Sequence, residues 1–247
     1  TGILSQLVSA GNTTVRNNGT INVNSKLGTG IYASAVNAGG MILGTTTVDN
    51  NGTITLINSN NINSDSPIGI FGTAGTKINN NSSINGGNNV IGIYGTDSEV
   101  TTDGSIILGD SSAGVYLNGG SLVTGTGTVV RVGSEGASAI YAGNGATVTN
   151  NSSNIQAGKN SSLIYVKDSG TVVNNLADLN VAEMGIGFYG NSGSINNNAK
   201  ISASGSDAVF FYAKNGEINN NGILDAAGNT GVIGIYGENS KIVNNGD

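Results

Sequence analysis

Residues 186–198 read IGFYGNSGSINNN, residues 209–221 read VFFYAKNGEINNN, and residues 233–245 read IGIYGENSKIVNN. Each stretch carries an apolar residue and a tyrosine, a short Gly/Ser/Asn turn, and then Val or Ile shortly before paired asparagines. Self-similarity at a fixed spacing is the mark of a stacked-repeat fold, so the rest of the chain is read for the same two features.

Both features extend almost to the N-terminus. The apolar–aromatic mark falls at Tyr32, Phe71, Tyr94, Tyr116, Tyr141, Tyr165, Tyr189, Tyr212 and Tyr236, at intervals of 39, 23, 22, 25, 24, 24, 23 and 24. All eight tyrosines of the chain lie on it. The V/I-x-N-N mark starts at Val15, Val48, Ile78, Val100, Val123, Val148, Val172, Ile195, Ile218 and Ile242. Two independent marks thus share a period of 22–25 residues. Between them lie short apolar/polar alternations such as Ile21-Asn22-Val23-Asn24, the pattern of half-buried strands. Amphipathic helical spacing is absent from the sequence.

A unit of this length cannot bury its apolar side alone. Stacking each strand in parallel on its equivalent one repeat later, about 4.8 Å along an axis, solves the problem. The expected fold is therefore all-β, a parallel β-helix of about ten rungs forming a single segment over residues 1–247. Two spacings are too long. They predict insertions near residues 33–47, containing Met41-Ile42-Leu43, and near residues 58–67, containing the sole proline, Pro67. The Met41-Ile42-Leu43 run is apolar enough to predict an extra strand or a cover over the stack.

Composition excludes several functions. The 247 residues include 41 Gly and 39 Asn, with no Cys, His or Trp. Without Cys or His, the common zinc, haem and iron–sulfur sites and the His-dependent triads cannot be built. Nine Lys+Arg against fifteen Asp+Glu give a net charge of −6, so no nucleic-acid partner is expected. No cofactor is expected. Asp97, Glu99 and Asp110 are the nearest approach to an acidic cluster, and Arg16 and Arg131 are the only arginines a lyase-type site could use. No enzyme activity is predicted. Thr1 is not an initiator Met, so the chain reads as a piece of a longer protein.

Two repeated features are candidate sites. The second asparagine of each pair (Asn18, Asn51, Asn81, Asn151, Asn175, Asn198, Asn221 and Asn245) marks a structural corner. There Asn tolerates left-handed backbone, and stacked amides form a ladder. Thr102-Asp103 and Gly125-Thr126 depart from the pair, with Asp103 and Thr126 still able to join the row. The aromatic column is the candidate ligand-binding stripe. Three placements of its rings are open: outward as a platform for a glycan or protein, inward at a bend, or outward but stacked on one another for stiffness.

The rungs VRNNGTINV (15–23), VDNNGTITL (48–56) and INNNAKIS (195–202), alternating with GIYG (92–95) and GVYL (114–117), resemble passenger domains of large bacterial type V autotransporters. The likeness covers essentially the whole chain and lies in repeat style rather than in a signature motif. It implies a right-handed parallel β-helix displayed outside a Gram-negative cell, secreted or anchored in the outer membrane by a β-barrel not contained in this chain. It implies adhesion to a host-cell or bacterial surface protein or glycan, by a monomer. The alternatives are a passive stalk or a toxin-like segment, with a polysaccharide-degrading enzyme of pectate-lyase-like fold further off. No catalytic residue carries over.

Overall fold

The computed structural model describes residues 2–7, 9–37, 39–58 and 66–247. Every regular element among them is a strand, and the strands coil as a right-handed parallel β-helix of ten turns. One face, the aromatic sheet, runs through ten strands from Ile3–Gln6 to Ile233–Glu238. The next, the asparagine sheet, runs through ten strands from Gly11–Asn17 to Lys241–Asn244. The third face holds six strands from Thr20–Val23 to Ile155–Ala157. A separate set of three follows: Leu179–Val181, Ile201–Ala203 and Leu224–Asp225. Every neighbouring pair of strands in these sheets is parallel and in line, with Tyr94 beside Tyr116 and Val100 beside Leu122.

Period-two alternation puts one residue type per column inside the coil. From the aromatic sheet, Ile31, Ile70, Ile93, Val115, Ile140, Ile164, Phe188 and Phe211 are fully buried. Val48, Ile78, Leu122, Val148, Val173, Ile195 and Ile218 enter from the asparagine sheet, and Ile54, Ile84, Ile106, Val130, Ile155 and Ile201 from the third face. Each such side chain contributes roughly 1.5–3 kcal/mol of transfer free energy. Since a rung touches only its neighbours, this stabilisation builds up rung by rung.

The register corrects the sequence reading in two repeats. Leu122, not Val123, stacks on Val100 and Val148; Val173, not Val172, stacks on Val148 and Ile195. Val123 is 43% exposed, whereas Leu122 is buried. Adjacent apolar residues made the slip possible. A one-residue shift exchanges the faces, and the burial of Leu122 decides it. Thr124 rather than Thr126 consequently joins the asparagine row, and Asn175 holds the first position of its pair, not the second.

The left-handed corners also differ from expectation. None of the paired asparagines has positive φ. Left-handed residues instead occupy the turns on either side of the aromatic strands. Asp97, Asn144, Asp168, Ser192, Asn215 and Asn239 follow those strands; Asn89, Ser111, Glu135, Asn160, Met184 and Asp207 precede them.

The insertion at 33–47 divides into two parts. Residues 44–47 lengthen a strand, so Gly44–Asn50 pairs along seven residues with Gly11–Asn17. Of the described residues before that strand, 36–37 and 39–42 lie around one antiparallel bridge between Val36 and Ile42, while Ala35 is buried. Met41 and Ile42 are 61% and 56% exposed, so this run adds no further strand to the sheets, while Leu43 is half-buried, donates to the Ala35 carbonyl and accepts from the Gly11 N–H. Of the second insertion, residues 59–65 lie outside the described residues; Pro67 beyond them is buried, and its carbonyl accepts from the Ile91 N–H.

Candidate functional site: the aromatic column and the asparagine ladders

Nine rings stand one above another on the aromatic sheet. Each stacks on the next with centroids 4.2–5.2 Å apart and planes within 19° of parallel. In-line parallel strands put equivalent side chains one strand spacing apart, which is also the contact distance of offset aromatic rings. The residue after each ring from Tyr32 to Tyr212 is buried, whether small, as at Ala33, Gly72, Gly95 and Ala142, or larger, as at Leu117 and Val166.

Of the three placements open from sequence, this is the outward and stacked one. Tyr32, Phe71, Tyr94, Tyr116, Tyr141, Tyr165, Tyr189 and Tyr212 are half-buried, and Tyr236 on the last rung is 47% exposed. The seven rings from Phe71 to Tyr212 have both faces covered by neighbours. A sugar or apolar side chain can no longer lie flat on them. What the column offers solvent is a row of ring edges and hydroxyls. Burial, with a neighbouring tyrosine's charge, holds the Tyr94 and Tyr165 hydroxyls above the usual phenol range. The same burial raises the Tyr116 and Tyr141 hydroxyls.

Beside the rings runs a shallow trough. One stretch of about 340 Å³ is lined by Ser138, Ser162, Tyr165, Met184, Ile186 and Tyr189, and another of about 260 Å³ by Ser112, Ala113, Tyr116, Ser138 and Tyr141. Gly136 and Ser138 belong to both, so the two are continuous. The hydroxyls of Ser138 and Ser162 are 2.8 Å apart across one rung. The serines gave no signal in the sequence beyond preceding the apolar–aromatic mark.

The asparagine pairs form two ladders. The inner one is buried: Asn17 donates to Asn50 (2.8 Å) and Asn50 to Asn80 (2.8 Å). Further along, Asn150 donates to Asn175, Asn175 to Asn197, Asn197 to Asn220 and Asn220 to Asn244, at 2.7–2.8 Å. From Asn150 onward each amide also donates to a carbonyl two residues on, as from Asn197 to Ala199 at 2.7 Å. In the middle rungs Thr102 and Thr124 stand in the same column, Thr102 accepting from Asn80 and Thr124 donating to Asn150.

The outer ladder is exposed and runs the other way. Asn51 donates to Asn18, Asn81 to Asn51, Asn221 to Asn198 and Asn245 to Asn221, at 2.9–3.3 Å. Of the corner residues named from sequence, Asn175 alone lies in the buried row. The N–H and side-chain amide of Asn151 bond instead to the Thr124 hydroxyl and carbonyl. Leu176, 51% exposed, stands where that repeat's outer asparagine would be.

The charges are paired along the axis. Arg16–Asp49, Lys77–Glu99, Lys159–Glu183, Lys200–Asp225, Lys214–Glu238 and Lys241–Glu217 each join adjacent rungs at 2.6–3.3 Å. Arg131 donates to Gln156 at 2.8 Å. Six of the nine Lys and Arg residues thus already face a carboxylate, which leaves little basic surface for an anionic polymer. The acids read as a possible cluster are dispersed. Asp97 sits in one turn, Glu99 pairs with Lys77, and Asp110 accepts the Ser134 N–H at 2.7 Å in another turn. Among the described residues, no group of three Asp or Glu is placed to hold a metal.

No family model, curated protein or solved structure matches this chain.

Proposed function

We propose that this chain is a rigid, non-catalytic rod segment of a surface-displayed or secreted β-helical passenger of the type V autotransporter kind, serving adhesion chiefly as a stalk. The observation that carries this reading is the aromatic column. Its ring faces, the surfaces best suited to gripping a glycan or a protein, are spent on one another. The asparagine ladders and the cross-rung ion pairs likewise join rung to rung. A repeated feature that serves the stack at every level suits a spacer that holds something else away from a surface.

One feature favours a second reading, in which the segment also contacts a partner. The segment around the Val36–Ile42 bridge exposes Met41 and Ile42 toward the N-terminal end of the stack, and loops leaving a solenoid are where specific contacts concentrate. The test is binding of the purified chain to host cells, partner bacteria and a glycan panel, beside a variant with residues 37–41 replaced by a short Gly-Asn turn. A pure stalk binds nothing in either form. Saturable binding by the parent chain that the loop variant loses moves the function to that segment. Binding retained by the loop variant would sink the stalk proposal and return attention to the ring edges and the trough.

A further inference from the structure

We propose that the tyrosine column is a site of one-electron oxidation, at which a peroxide-dependent phenol coupling joins Tyr116 to Tyr141 across one rung. The inference stands apart from the use to which the rod is put. It rests on ring geometry, access and composition.

Seven tyrosines, from Tyr94 to Tyr236, form an uninterrupted stack with centroids 4.2–5.1 Å apart. Rings in such contact share an electron vacancy, so an oxidising event anywhere along the run is available to every member. Phe71 separates Tyr32 from this run, because a phenyl ring lacks the hydroxyl whose proton loss makes tyrosine oxidation easy. Within the run, Tyr116 and Tyr141 approach most closely, at 4.2 Å and 5° from parallel. Their edges border the open trough beside Ser138. The chain has no Cys, Trp or His and only two Met, so tyrosines are the main side chains a one-electron oxidant can attack.

The chemistry balances with a haem peroxidase and hydrogen peroxide. Each phenol gives up one electron and its hydroxyl proton. The two tyrosyl radicals then join through their ortho carbons in one new C–C bond. The hydrogens displaced from those carbons move as protons to the two oxygens and restore both phenols. In sum the pair loses two hydrogen atoms, and one peroxide is reduced to two waters. The product is a covalent tie between successive rungs in a chain that has no cysteine to make one.

The test treats the folded full chain with a haem peroxidase and limiting hydrogen peroxide, followed by intact-mass measurement and peptide mapping. The expected result is a monomer lighter by two hydrogens, dityrosine fluorescence, and one dominant cross-linked peptide pair holding Tyr116 and Tyr141. Y116F and Y141F, which keep the ring stack, each abolish that pair, while Y32F leaves it at parent yield. Circular dichroism confirms that the variants are folded. Three results would overturn the proposal: cross-links spread evenly over the column, cross-links only between chains, or the same pattern from the chain unfolded in urea. No cross-link at all, with the parent chain folded, overturns it as well.

Discussion

Asn197→Ala is the sharpest probe of what holds the rungs in register. Asn197 is fully buried. It accepts from Asn175 at 2.7 Å, donates to Asn220 at 2.7 Å and donates to the Ala199 carbonyl at 2.7 Å. Three good bonds at a net 0.5–1.5 kcal/mol each set a scale of about 3 kcal/mol. The truncation also strands one N–H of Asn175 and the Ala199 carbonyl, at about 1–3 kcal/mol each if no water enters. Partial relief comes from Asn220, whose oxygen still accepts the Gly222 N–H at 3.3 Å. A loss of about 3–5 kcal/mol follows, a large share of the 5–15 kcal/mol typical of a domain. The control is Asn198→Ala in the exposed outer ladder. It breaks one solvated bond from Asn221 and should cost less than about 1 kcal/mol. Asn197→Thr should recover part of the loss, since Thr102 and Thr124 serve in the same row. Urea unfolding with a shared m-value reads all three. Equal costs for Asn197→Ala and Asn198→Ala, or a cost below about 1 kcal/mol for the former, would refute the claim that the buried ladder sets register.

Three further outcomes are expected. Tyr141→Ala removes two stacking contacts, at 4.2 and 4.9 Å, and should cost about 2–4 kcal/mol in urea unfolding. Tyr141→Phe keeps the stack and should cost less than about 1 kcal/mol; equal effects would place the stabilisation in the hydroxyls. Gly120 and Gly145 both have left-handed φ, at 76° and 77°. A Cβ on Gly120 would lie 2.1 Å from the Ser98 carbonyl, while one on Gly145 meets nothing within 4 Å. Thermal melts should therefore show Gly145→Ala costing about 1–2 kcal/mol and Gly120→Ala clearly more. Burial raises the Tyr94, Tyr116, Tyr141 and Tyr165 hydroxyls above the ordinary phenol value of about 10, so the folded chain holds those protons more tightly than the unfolded one. Their contribution is fully present below about pH 10 and is lost as pH rises through the folded values, so the urea midpoint should fall only above that pH. A midpoint that declines between pH 7 and 9 would contradict it.

Much of the architecture was legible because it repeats. A mark that recurs every 22–25 residues gives the coil, its rung count and the identity of two faces, and it singles out the interrupted rungs. Features that depend on which of two like neighbours turns inward were less legible. Val123 against Leu122, and Val172 against Val173, are equivalent as letters; only the burial of Leu122 and Val173 separates them. Paired asparagines likewise do not announce which one is buried. The left-handed corners were hidden for another reason. Residues as different as Glu135, Met184 and Asp207 occupy one equivalent turn, so backbone geometry there leaves no consistent side-chain signature. The aromatic column was found at once, but its meaning depended on ring orientation, which a sequence does not carry.

The opposed directions of the two asparagine ladders bear on how long such a rod can grow. Inner amides point their N–H bonds toward the C-terminal end, and outer amides point theirs toward the N-terminal end. An α-helix aligns its peptide dipoles and carries about half a unit charge at each tip. In the rungs that carry both ladders the side-chain dipoles oppose one another, so duplicating such rungs builds less potential at the tips than a single aligned ladder would.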